Sequence, residues 1–188
     1  MLLNELFNKP LDYYNDGHGS YEFKTSNGNN VELEISATRT SEVLMQDLNG
    51  ELFCKWIKAK FPERFENLTP EQTIRVIDTP PFDDDDAIAE IAFDKNGDFG
   101  ITGDGKGNEP FEIFSTVVRI LEENLANTHY YALYFTANEP SRKKLYSRMI
   151  RVLAKRHQYR HLFEPKPGKY FLFHAEFFTD FGSGLTKI

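Results

Sequence analysis

Residues 99–156 read FGITGDGKGNEPFEIFSTVVRILEENLANTHYYALYFTANEPSRKKLYSRMIRVLAKR. The stretch opens with a strand-like FGITG and a turn that holds three glycines. Two amphipathic helical patterns then enclose a β-rich segment at residues 129–136. Apolar residues recur every three to four positions in the first helical pattern, which is typical of a helix with one buried face. The residue patterns thus give the order strand, turn, helix, strand, helix.

The glycine-rich turn is a candidate anion-binding loop. Gly103, Gly105 and Gly107 let backbone N–H groups approach an anion closely, and the start of the following helix adds a partial positive charge. Lys106 and Asn108 lie in the same turn and complete the candidate site. Glycine explains a tight strand-to-helix connection without a ligand equally well, so the turn alone leaves both interpretations open.

The flanking sequence predicts the rest of the sheet. Residues 21–25 and 31–37 alternate apolar and polar residues around the turn SNGNN, which indicates a β-hairpin. The residue pattern also makes residues 129–136 a central strand and residues 170–178 the strand that closes the sheet. The other predicted strands are residues 87–94 and 99–102, paired across the turn KNGD.

Three segments of the chain are similar to a known family. They read LLNELFNKPLDY, ITGDGKG…FEIFSTVVRIL and FTANEPSRKKLYSRMIRVLAKR. These segments resemble small phage-encoded proteins with the GNAT fold, the fold of a large class of N-acetyltransferases. The similarity covers the N-terminal forty residues and roughly the last hundred. It implies an α/β (α+β) fold, with a mixed, mainly antiparallel sheet flanked by helices in a single domain over residues 1–188.

Residues 41–86 lie outside the similarity and are interpreted as an insertion. Within them, residues 52–61 (LFCKWIKAKF) place apolar side chains near one face of a predicted helix. At the other end of the chain, the glycines around Ser183 predict a frayed tail over residues 179–188.

The resemblance implies an acyl-CoA-dependent N-acyltransferase. In the family the pyrophosphate of acetyl-CoA, or of another acyl-CoA, lies on the glycine-rich loop, and a tyrosine protonates the CoA thiolate as the thioester breaks. Tyr146 matches that tyrosine, and the strand at residues 131–136 would be splayed to align the cofactor. From the residues alone, Tyr146 can equally pack at the boundary between helix and sheet with its hydroxyl satisfied.

An acceptor amine must also lose a proton, which requires a general base. Glu90 lies on the strand before the glycine-rich turn, where such bases occur in the family, and is the first candidate. Strand alternation can equally make Glu90 a solvent-facing residue. Glu176, on the last predicted strand, is a weaker candidate for the same role.

A second class of function stays open, namely a catalytically inert module of the same fold that binds a host or phage protein. Such a module would act as a host-takeover or anti-defence factor or as a virion component. The insertion favours it, as does Thr102, which stands where the family's loop has Gln or Arg. The aspartate run favours it most directly, as an acidic partner-binding loop composed of Asp83, Asp84, Asp85 and Asp86.

Composition excludes several other classes. The formal net charge of −7 opposes general nucleic-acid binding, which depends on neutralising phosphates. Cys54 is the only cysteine, so no intramolecular disulfide can form, which fits a reducing compartment. No apolar run approaches the ~18 residues that span a bilayer, and the N-terminus does not read as a signal peptide. We therefore expect the cytoplasm of a host cell, with the virion as the alternative.

No metal site is predicted from spacing. His157 and His161 stand four apart, a spacing that can bind zinc on a helix, but two solvated histidines explain the pair better. The aspartate run lacks the alternating ligands and the turn glycine of a calcium loop. The basic residues that begin at Ser141 could grip an anionic cofactor or partner, although a solvated helix face is the simpler interpretation.

Overall fold

The computed structural model describes residues 10–38, 50–67, 69, 71–72, 88–95, 108–136 and 140–176. The strands are β1 (Tyr13–Asn15), β2 (Ser20–Lys24), β3 (Asn30–Thr38), β4 (Ile88–Lys95), β5 (Ala132–Thr136), β6 (Tyr159–Lys166) and β7 (Lys169–His174). The helices are α1 (Gly50–Lys60), α2 (Pro62–Phe65), α3 (Glu109–Asn127) and α4 (Pro140–Arg156).

The seven strands form one sheet in the order β1-β2-β3-β4-β5-β7-β6. Neighbouring strands are antiparallel except β4 and β5, which are parallel. Parallel neighbours need a crossover connection, and α3 lies between β4 and β5 in the chain. The predicted mixed, mainly antiparallel sheet flanked by helices is confirmed.

Helices cover both faces of the sheet. Successive side chains of a strand point to opposite faces, so each strand contributes to the cores on both sides. On the first face Leu133 and Phe135 of β5 pack in one core cluster with residues of α3 and α4. On the second face Ala132 and Tyr134 pack in another cluster with residues of α1 and α2. The chain therefore buries two separate apolar layers, one on each side of the strands.

Part of the segment interpreted as an insertion completes this second layer. Phe53 and Ile57 of α1 and Phe65 of α2 are each 0% exposed, and each such side chain contributes about 1.5–3 kcal/mol when fully buried. The helix predicted over residues 52–61 is confirmed as α1, which begins two residues earlier. The second face thus depends on residues that lie outside the family similarity.

The predicted hairpin is confirmed as β2 and β3, which pair from Ser20↔Glu34 to Lys24↔Asn30. Gly28 in its turn has a φ of +84°, a conformation that glycine adopts without steric cost. The strand predicted over residues 87–94 is confirmed as β4. Its predicted partner at residues 99–102 lies outside the described residues.

The prediction that the last strand closes the sheet is wrong. The strand β7 ends at His174 and lies between β5 and β6, so that β6 forms the edge. The sequence of β6, YRHLFEPK, buries only alternate positions and exposes charged residues between them. In the sequence, these charged residues follow directly on the basic run of α4. The continuous run of charge concealed the alternation that is typical of an edge strand.

Candidate functional site

The pairing between the parallel strands β4 and β5 ends at Ile91 and Phe135, one residue before the end of β5. Their register covers four pairs, from Ile88↔Ala132 to Ile91↔Phe135. Beyond Ile91, β4 continues to Lys95 in register with β3, and β5 continues to Thr136 in register with β7. We call this region, where α3 and α4 also begin, the loop end of the sheet. In open α/β sheets ligands bind outside the carboxyl ends of strands, which makes the region beyond Ile91 and Phe135, which we call the gap, a candidate cofactor site.

Of the predicted cofactor-binding residues, Asn108 alone lies within the described residues. It is the N-cap of α3 and is exposed, and its side chain makes no capping hydrogen bond. Gly103, Gly105, Lys106 and Gly107 lie outside the described residues, as does the aspartate run of Asp83 to Asp86.

Two carboxylates of the chain itself occupy the start of α3. Glu109 is 1% exposed and accepts hydrogen bonds from Thr25 Oγ1 at 2.7 Å and from Asn29 Nδ2 at 2.5 Å. Glu112 accepts a hydrogen bond from the backbone N–H of Ser26 at 3.0 Å. Both acids therefore tie the β2–β3 turn to the positive end of the helix macrodipole. The sequence does not reveal the partners of Glu109, because they lie on a turn about eighty residues away.

Tyr146 lies at the loop end but inside the core. Its side chain belongs to the first-face cluster and the residue is 1% exposed. Its ring centroid is 5.4 Å from that of Phe135, the last residue of β5 that pairs with β4, and 6.5 Å from that of Tyr170. The phenol is thus adjacent to the point where the strands part, and helix–sheet packing orders its ring.

Glu90 and Tyr146 lie on opposite faces of the sheet. Glu90 stands between Ile88 and Ile91 on β4 and is half-buried, in register with Ser36 and Tyr134. Ile88 belongs to the second-face cluster, and strand alternation puts Glu90 on the same side. The two predicted catalytic residues therefore flank the sheet without contacting one another.

Arg148, Arg151 and Lys155 of the basic run are exposed, as expected of a solvated face, and the two histidines, which were expected to be solvated, are partly buried. Arg156 pairs with Glu122 of α3 at 2.6 Å. His157 follows the last residue of α4, and His161 lies on β6, so the two histidines share no helix face.

A group that the sequence did not reveal lies at the opposite end of β5. His129 precedes β5, His174 ends β7, and Glu176 follows two residues later; their ligand atoms all lie within 4.8 Å of one another. We call this region the histidine end. The signal available in sequence was weak, since only the antiparallel pairing of β5 with β7 brings the start of one strand beside the end of the other.

Comparison with known proteins gives no relative, because no protein-family model, curated protein or solved structure matches the chain significantly. The resemblance to GNAT proteins accordingly rests on the residues and the order of elements. Within the described ranges, the structure contains no helix of the length and hydropathy needed to cross a membrane.

Proposed function

We propose that the chain is a phage-encoded GNAT-like protein that binds an acyl-CoA between β4 and β5 and transfers its acyl group to an amine. One observation carries the proposal. The pairing of the parallel strands β4 and β5 ends at Ile91 and Phe135, and a helix follows each strand in the chain. That arrangement supports the proposal, because the family holds its cofactor between splayed parallel strands and at a helix start.

The proposed reaction is a direct transfer. The amine lone pair attacks the thioester carbonyl, the carbon–sulfur bond breaks, and the CoA thiolate leaves. Tyr146 gives a proton to the thiolate, and Glu90 takes the proton that the amine loses. A thioester held in the gap is reached from both faces of the sheet. The leaving sulfur can then meet Tyr146 on the first face while the amine approaches Glu90 on the second.

A second candidate is supported by the acids at the loop end. Glu109 and Glu112 lie at the start of α3, where a bound pyrophosphate would experience their repulsion, on the order of 1 kcal/mol or more at a few ångströms. A catalytically inert GNAT-like module tolerates those carboxylates without cost. It would bind a host or phage protein, with the aspartate run as the contact.

Calorimetric titration with acetyl-CoA separates the two candidates. We expect micromolar binding by the unmodified chain and none by Gly105→Glu, because a carboxylate in the loop repels the pyrophosphate. Ala126→Glu is the matched control, since it adds the same charge at an exposed position near the far end of α3. No binding by the unmodified chain would refute the enzyme proposal and leave the inert module.

The acetyl-transfer step is then tested separately from the binding of acetyl-CoA. Tyr146→Phe keeps the ring and removes the hydroxyl, so we expect acetyl transfer to an amine to fall while the Kd for acetyl-CoA stays constant. Glu90→Gln should remove the ionising limb on the acidic side of the pH–rate profile. Full activity in Tyr146→Phe would assign the phenol to packing alone.

A further inference from the structure

His129, His174 and Glu176 converge at the histidine end, away from the proposed acyl-CoA gap. The hydrogen bond from the backbone N–H of His174 to the carbonyl of Tyr131, at 2.8 Å, fixes the end of β7 beside the start of β5. The strand β5 separates the two sites, and its residues from Ala132 to Phe135 alone span about 10 Å at the rise of a β-strand. The two sites are therefore separate, and ligand binding at the histidine end does not depend on the proposed function.

The three side chains present their ligand atoms at coordination spacing. His129 Nε2 lies 3.5 Å from Glu176 Oε2, and His174 Nδ1 lies 3.7 Å from the same oxygen. Ligands about 2.1 Å from a tetrahedral zinc ion stand about 3.4 Å apart. These two spacings are thus within a few tenths of an ångström of an edge of such a tetrahedron, and the two histidine ligand atoms lie within 4.8 Å of one another.

Neutral imidazole nitrogen is the form that binds a metal. The backbone N–H of Glu176 donates a hydrogen bond to His174 Nδ1 at 3.3 Å, so this nitrogen carries the lone pair, and a zinc ion bound there would replace that hydrogen bond. His174 therefore offers a lone pair on the side that faces the carboxylate.

Aromatic neighbours hold both imidazoles. The His129 ring lies edge-on to the Tyr131 ring, with centroids 5.2 Å apart at 89°. The His174 ring is buried and lies 5.2 Å from the ring of Tyr159, whose hydroxyl donates to the carbonyl of Tyr130 at 2.7 Å. The two histidine rings are themselves 4.9 Å apart at 79°. Such packing fixes ligand orientation before an ion arrives.

We propose that His129 Nε2, His174 Nδ1 and Glu176 Oε2 bind a zinc ion. Two imidazoles and a carboxylate suit zinc, whereas calcium and magnesium prefer all-oxygen sites. Three protein ligands leave a fourth position for water or an anionic group, and the side chains of His129 and Glu176 are 47% and 56% exposed, so solvent reaches it. An ordinary surface ion pair between the same residues would contribute only about 0–1 kcal/mol and has no need of a second histidine.

Competition between the metal-free full chain and a chromophoric zinc chelator tests the proposal. At about pH 7.5 we expect one zinc ion per chain. His129→Ala and Glu176→Gln should each weaken binding by about tenfold or more. Matched controls are His18→Ala and Glu22→Gln, at exposed positions of the β1–β2 hairpin, which should bind zinc as the unmodified chain does.

A cobalt-loaded sample gives the second measurement. The visible absorption of four-coordinate cobalt should appear with the unmodified chain and disappear with His129→Ala, while circular dichroism shows that both chains are folded. Zinc binding weaker than about 0.1 mM would overturn the proposal, as would binding that survives both ligand substitutions. So would equal losses in His129→Ala and His18→Ala.

Discussion

At the loop end of the sheet, side chains and backbone of the chain itself bond to the two described carboxylates at the start of α3. Glu109 bonds to Thr25 and Asn29, Glu112 bonds to Ser26, and the ring of Tyr146 is packed against Phe135. At the histidine end, by contrast, His129 and Glu176 are about half exposed and share a small volume with His174. In the sequence, the glycine-rich turn marks the loop end. The exposed ligand atoms of His129 and Glu176, however, lie at the histidine end. Local sequence therefore does not by itself locate every site that can hold a ligand.

The largest expected effect tests whether Tyr146 is part of the core at the loop end. Tyr146→Ala should lower the free energy of unfolding by about 3–5 kcal/mol, because it removes a buried ring. Tyr146→Phe keeps the ring and should cost about 1 kcal/mol or less. Urea denaturation measures both. If Tyr146→Ala lowers the free energy of unfolding no more than Tyr146→Phe does, the ring is not packed as described. The contrast between the loop end and the histidine end would then be weaker.

Zinc should stabilise the chain from the histidine end alone. At about a hundredfold excess over its Kd, a ligand that binds only the folded state adds about 2.7 kcal/mol. Thermal melts should show this gain in the unmodified chain and in Gly105→Glu, but not in His129→Ala. A gain that Gly105→Glu abolishes would mean that the two ends are not independent.

Loss of Glu109 should loosen the loop end. Glu109→Ala leaves the buried hydroxyl of Thr25 and the amide of Asn29 without this acceptor, at a cost of about 2 kcal/mol in the free energy of unfolding. Glu109→Gln keeps one carbonyl oxygen and should cost less. Asn108→Ala is the control and should change little, since this N-cap side chain makes no capping bond. Equal losses in all three would contradict the assigned contacts.

The smallest expected effect concerns His161, on β6 beside the histidine end. Burial lowers its pKa, and the charges of Lys60 and Arg160 lower it further. The unfolded chain therefore binds this proton at a higher pH than the folded chain, so stability is lost as pH falls below about 6.5. His161→Gln should flatten the dependence of unfolding free energy on pH between about 5 and 7. An unchanged slope would show that His161 does not titrate differently on folding.

Elements with a strong local pattern were predictable. The β2–β3 hairpin follows from alternation around SNGNN, and α1, α3 and β5 follow from apolar periodicity. The edge strand β6 was not predicted, because its exposed charges continue those of α4 and hide the alternation. The position of β7 inside the sheet was missed for the same reason, since a strand beyond it was not anticipated.

The candidate sites, like the elements of the fold, were predictable from the sequence only in part. Tyr146 and Glu90 could be chosen from the sequence because the resemblance to GNAT proteins indicates their positions. The sequence did not indicate whether the two side chains lie on the same face of the sheet. Strand alternation and register put them on opposite sides of the sheet. The partners of Glu109 and the grouping of His129 with His174 depend on which strands pair, and residues far apart in sequence carry no spacing signal.

By itself, the sequence determined the class of fold, because hydrophobic periodicity and turn residues act over a few positions. It also determined the absence of an intramolecular disulfide, since Cys54 stands alone. Only the tertiary structure decided that α1 and α2 cover the second face, that Glu109 is bonded to a distant turn, and that two histidines and a glutamate meet. Each of these contacts joins separate segments. Strand order and register, which are set by the packing of the whole sheet, bring those segments together.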